Sequence, residues 1–118
     1  MNNKIHKYLE ILKIELKDLI EDLEFSEDVL AKRFKEHEIT EYVFMENIGL
    51  LKKEILGIEK VKRMIEASAK DDLTIKELRE LIETYFSREI STAGLPNVVM
   101  LLVTRKLDKI DKYIRMGE

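Results

Sequence analysis

The feature that most constrains this chain is the spacing of its apolar residues. Ile5, Leu9, Leu12, Leu16, Leu19 and Leu23 follow one another at alternating steps of four and three. At 3.6 residues per turn those steps return to one side of a helix, whereas a strand, with its period of two, would scatter the same residues over both faces. The pattern recurs in Phe44, Ile48, Leu51, Ile55, Ile58 and Ile65, and again in Met100, Val103, Leu107, Ile110 and Ile114. Three long helices with such seams predict an all-α, up-and-down helical bundle.

Boundaries follow from the polar groups that helix ends leave unsatisfied. Thr74 and Glu77 have capping-box spacing, with Leu73 and Leu78 at the positions of a hydrophobic staple, so a helix starts at Ile75. Ser26 between Phe25 and Leu30, and Thr40 between Ile39 and Phe44, carry the same framing. Pro96 suits a first helical turn, where its missing N–H costs nothing. These signals predict about five helices, three long and two short, near 3–24, 27–37, 41–69, 75–88 and 96–116, the second acting as an elbow. Residues 87–95, with Ser91, Thr92 and Gly94, are the one sizeable connector in this reading. Links are otherwise short and no repeat is present, so residues 1–118 read as a single domain.

The helix over 41–69 has a second stripe, Val43, Leu50, Gly57, Val61 and Met64, beside its main seam. Apolar surface of that width predicts a central helix with neighbours on two sides. Gly57 costs about 1 kcal/mol relative to alanine inside a helix, and close approach of a neighbouring helix explains its presence. Lys62 interrupts the main seam, as a side chain that snorkels to solvent near a bundle end, pairs with an acid or marks the edge of the core.

Composition narrows the chemistry. With no cysteine among 118 residues there is no thiolate nucleophile, redox pair or Cys-ligated metal. The longest apolar run, residues 98–103, is far short of the roughly 20 residues that span a bilayer, and Met1-Asn2-Asn3-Lys4 is not the start of a signal peptide. A cytoplasmic protein without membrane contact is the expectation. Charge carried mainly by Lys and Glu, with Gln and Trp absent, matches the drift of thermophile proteins and equally that of AT-rich genomes.

The residues that could carry catalysis do not form a complete set. His6 and Glu10, one turn apart, make at most half a metal site, and Glu-x-x-His occurs nowhere, so no metal or cofactor is expected. Neither histidine has the Lys and Gly neighbours of a phosphotransfer domain. Arg33 and His37 are similar in type to the Arg–His pair of HEPN-type ribonucleases, small all-α proteins in which four to six residues intervene. Here three intervene, and i,i+4 spacing would align both on one helix face. Acids at i,i+3 (Glu15 with Asp18, Glu21 with Glu24, Glu77 with Glu80, Asp108 with Asp111) resemble the paired acids of all-α nucleotide pyrophosphohydrolases of the MazG kind. Glu77, however, already has a capping role, and Asp108 and Asp111 flank their seam. Ser91-Thr92-Ala93-Gly94 reads as a turn, with anion binding the alternative.

Surface features point instead to association. Residues 18–28 hold six acids and no base, while Lys52, Lys53, Lys60 and Arg63 gather on one helix face and Arg105, Lys109 and Lys112 form a stripe on another. Such stripes are solvated faces or electrostatic docking surfaces, for nucleic-acid phosphates or for an acidic partner such as another copy's acidic stretch. Net charge of -3 and the lack of interleaved aromatics weigh against nucleic acid. The run over 98–103 is apolar all round a helix, which makes Val98, Leu101 and Leu102 core residues or partner contacts; Ile11 and Ile14, off the first seam, raise the same choice. The sequence therefore predicts a non-enzymatic helical protein acting by protein–protein association, as a homodimer or an assembly subunit. An accessory protein of nucleic-acid metabolism and a helical nucleotide or RNA hydrolase are the alternatives.

Overall fold

The computed structural model describes residues 3–68 and 73–116. Among the described residues there are four helices and no strand: α1 (Asn3–Lys35), α2 (Glu41–Ser68), α3 (Ile75–Ala93) and α4 (Asn97–Met116). Ala69, the expected end of the second long helix, lies outside the described residues.

The fifth helix and its elbow do not exist. The chain runs unbroken through Ser26, because the Ser26 hydroxyl donates back to the Asp22 carbonyl at 3.2 Å instead of accepting from a new first turn. The seam carries on past the supposed break: Leu23, Glu27, Leu30 and Phe34 keep the steps of four and three. Phe25, assigned to a staple, points away from that seam and is 69% exposed. With 33 residues, α1 is about 50 Å long and accounts for most of the molecule's 55 Å long dimension.

α1 ends in a Schellman turn. The His37 N–H donates to the Phe34 carbonyl and the Glu38 N–H to the Arg33 carbonyl, which requires His37 at φ 61°, in the left-handed region. Thr40 then opens α2 as expected, its hydroxyl accepting from the Val43 N–H. The capping box at Thr74 is complete in both directions, and Leu78 of its staple is buried. α3 continues to Ala93, five residues beyond its expected end. Ser91 and Thr92 do not turn the chain, since their hydroxyls donate to the Ser87 and Arg88 carbonyls within the helix. Gly94, at φ 68°, stops it.

Contacts at two levels fix the directions as antiparallel: Glu27–Lys52 and Phe34–Phe44 for α1 and α2, Lys7 over the Tyr113 ring and Glu15 with Lys106 and Lys109 for α1 and α4, and Arg79 with Asp108 and Asp111 across from the short turn 94–96 for α3 and α4. The four helices therefore run up, down, up, down. α1 and α4 each pack against all three other helices, and α2 has the neighbours on two sides that its apolar width predicts, α1 and α4. The core comprises the seam Ile5 to Leu23 with Tyr8 from α1, Ile58, Val61 and Ile65 from α2, Leu78, Ile82, Tyr85 and Phe86 from α3, and Val99, Val103, Leu107 and Ile110 from α4. It occupies one end of the molecule. Beyond Leu23 and Gly57 the bundle thins toward two helices, a hairpin arm of about 18 Å made of residues 24–35 and 41–56, whose base still meets the body: Leu51 and Ile55 pack on the core, and Leu56 lines a small cavity with Tyr85 and Leu95. The contact that explains Gly57 comes from the turn between α3 and α4 and not from a helix: a Cβ there would stand 2.5 Å from Leu95 Cδ1.

Candidate functional site

The arm is the most unusual surface of the molecule. No side chain between residues 24 and 56 is buried, yet the segment is rich in large apolar groups. Phe25, Val29 and Phe34 on α1 are 69%, 41% and 36% exposed, and Tyr42, Val43, Met45, Leu50 and Leu56 on α2 are open as well. Only the facing seams close on each other: Phe34 stacks on Phe44 at the tip with ring centroids 4.7 Å apart, and Glu27 pairs with Lys52 at 3.2 Å. The second stripe of α2 shows the geometry in one line. Its lower members, Gly57 and Val61, are buried in the chain's own core, while Val43 and Leu50, in register above them, are 38% and 45% exposed.

α1 has a further open face opposite its seam. Ile14, Asp18, Asp22, Phe25, Val29 and Lys32 follow steps of four, four, three, four and three, and all are exposed. The sequence reading missed Phe25 and Val29 as surface residues, although an i,i+4 apolar pair lying off a continuous seam is a readable signal.

The other expected contacts divide. In the run over 98–103, Val99 and Val103 are core, Leu102 is half-buried against it, and Val98 and Leu101 are 41% and 50% exposed. Ile11 is half-buried against the core and Ile14 is 61% exposed. Ile11 also lines an open groove of about 480 Å³ between α1 and α4, with Glu15, Lys109, Ile110, Lys112 and Tyr113. Both Lys106 and Lys109 reach Glu15 at 3.0 Å, and their hydrogen bonds hold its carboxyl below its ordinary pKa. Lys53 and Lys60 line a different, small cavity with Gly57, Tyr85, Glu89 and Leu95. The two basic stripes thus belong to different grooves, and Lys52 and Lys109 are each drawn to an acid of α1. Lys62 sits half-buried in a third groove, where Glu21, Glu24, Glu59 and Glu66 alternate with Lys17 and with Arg63, the last member of the α2 stripe.

The catalytic candidates do not converge. His37 lies past the end of α1, so it does not share a helix face with Arg33, which pairs with Glu38 at 3.4 Å. His6 is exposed, and no group of three metal-ligating side chains occurs among the described residues. Asp108 and Asp111 do converge, on a cation: Arg79 donates to them at 2.6 and 2.7 Å and to Glu83 at 3.3 Å. Next to this cluster the Tyr8 ring is fully buried, and its hydroxyl has no well-formed hydrogen bond among the described residues. Burial, and then the nearby Asp111 carboxylate, raise the phenol's pKa and keep it neutral. The ion pairs tie α3 to α4 beside the buried Tyr8 ring; nothing in a single sequence pairs Arg79 with acids 29 and 32 residues away.

No helix among the described residues is long and apolar enough to cross a membrane. Compared with known protein families, with characterised proteins and with solved structures, the chain matches none.

Proposed function

We propose that this protein works by protein–protein association and that the hairpin arm is its docking element. The observation that carries the reading is the contrast along α2, where one apolar stripe is buried at Gly57 and Val61 and partly open to water at Val43 and Leu50. Water-exposed apolar surface costs roughly 25 cal/mol per Å², and a monomer of this size has no need to hold Phe25, Tyr42, Met45 and Leu50 in water on a two-helix projection. Covering them by a partner recovers that free energy. Val98, Leu101 and Ile14 extend the open apolar surface onto the body of the bundle.

Affinity purification from the native host, read by mass spectrometry, tests the reading when wild type is compared with Phe25→Asp and Leu50→Asp. Both positions are exposed, and circular dichroism should show both variants as helical as wild type. Wild type should recover a protein, either a differently tagged second copy or a different chain, that the variants lose. Equal recovery from all three would refute the arm as the docking element.

A further inference from the structure

The open face of α1 carries a charge pattern that is complementary to itself when reversed. Reading along it, the residues are Asp18, Asp22, Phe25, Val29 and Lys32, with Glu21 and Arg33 on its flanks. Acid lies on the body side, base on the tip side, and two apolar residues between. The positions are symmetric about residue 27: Phe25 and Val29 stand two residues from it, Asp22 and Lys32 five, Glu21 and Arg33 six. Asp22 and Lys32 make no ion pair among the described residues, and both are exposed.

From this we propose that α1 pairs with α1 of a second copy, antiparallel, about a two-fold axis at position 27. The proposal rests on the arm being a docking element and names its occupant. A two-fold contact is isologous, so each residue i meets residue 54 − i of the partner. Phe25 then packs on Val29 of the other copy, twice, as the apolar centre. Asp22 meets Lys32 on either side of it, also twice, while Glu21 and Arg33, level with each other on opposite flanks of the contact, add longer-range attraction, Arg33 keeping its pair with Glu38. The outermost opposition, Asp18 with Glu36, falls at the rim, beyond the end of α1. A parallel pairing would set acid on acid and base on base, so the charges select the antiparallel register, as e and g charges do in coiled coils. One helix stripe covers less than the roughly 800 Å² per partner of a standard interface, which puts the dimer in the weak, concentration-dependent class.

Charge reversal decides the matter. Multi-angle light scattering should be run up to about 1 mM, a dissociation constant at the weak limit of specific pairing, on wild type, Asp22→Lys, Lys32→Glu and the double variant, with circular dichroism confirming equal helix content. Wild type should show an average mass that climbs with concentration from that of one chain toward twice it. Each single reversal, which places like charges opposite at two sites, should return the mass to that of one chain, and the double variant should restore the dimer. A dimer indifferent to both single reversals overturns the register. A wild type that stays monomeric overturns the second copy as occupant, and arm-dependent recovery of a different protein from the host would then leave the association reading standing on its own; if that recovery fails too, both fall.

Discussion

His37 shows how a single residue can hold a strained place for the sake of a turn. At φ 61° its Cβ is crowded against the backbone, a cost that glycine avoids at the same position of most Schellman turns. His37→Gly should therefore stabilise the protein by about 1 kcal/mol in urea unfolding, while His37→Ala, which keeps the Cβ, should change little. Glu15 gives a second test, through pH. Its pKa is lowered in the folded chain by the hydrogen bonds from Lys109 and Lys106, so its contribution is present at neutral pH and lost as pH falls through the folded value. Two of the three side chains are largely shielded, but Lys109 is 65% exposed, and the whole effect is about 1 kcal/mol or less. Glu15→Gln should be less stable than wild type at pH 7, and the gap should close below about pH 4. A gap that widened in acid would contradict the ion pairs.

At the scale of elements, the arm and the body differ in what holds them. The body closes a four-helix core, whereas the arm relies on half-buried seam contacts and the Phe34–Phe44 stack. Local stability follows buried contacts, so amides of residues 24–56 should exchange with deuterium faster than those of the buried seam over 5–23. Phe34→Ala should speed exchange in the arm and leave the body unchanged. The same difference explains what the sequence made legible. Apolar periodicity identified the seams because they are regular over many turns, and Thr40 and Thr74 were readable because a cap is a local affair of four residues. Ser26 misled because a serine between Phe25 and Leu30 has the composition of a cap. What decides between cap and helix interior is the continuity of the seam through Glu27, Leu30 and Phe34, and Glu27 hides that continuity by putting a charge where an apolar residue was expected. Ser91 and Thr92 misled in the same way, as hydroxyls that bond inward look like turn formers.

For the whole molecule, the two-helix arm was beyond reach of the sequence, since a stripe such as Val43, Leu50, Gly57 and Val61 reads the same whether covered or open. Coverage is decided by where α3 and α4 end, and that is set by Gly94 and the packing of Leu95 on Gly57. The distribution of charge was legible, but its pairing was not: Glu15 and Glu27 engage lysines that the sequence places on free basic stripes. That pairing bears on the nucleic-acid alternative. A phosphate-binding surface needs several unengaged cations on one continuous patch, and each phosphate neutralised contributes about -0.9 to the log–log salt slope on duplex DNA. Here Lys52 and Lys109 are committed to acids, and the stripes of α2 and α4 line separate grooves. Labelled duplex DNA and RNA titrated between about 50 and 200 mM salt should bind no more tightly than about millimolar, with no steep salt slope. Lys60→Glu should change nothing. Micromolar binding that weakens more than about tenfold over that range, and is lost in Lys60→Glu, would mean that α2 meets phosphates and that the arm's apolar surface serves a nucleoprotein assembly.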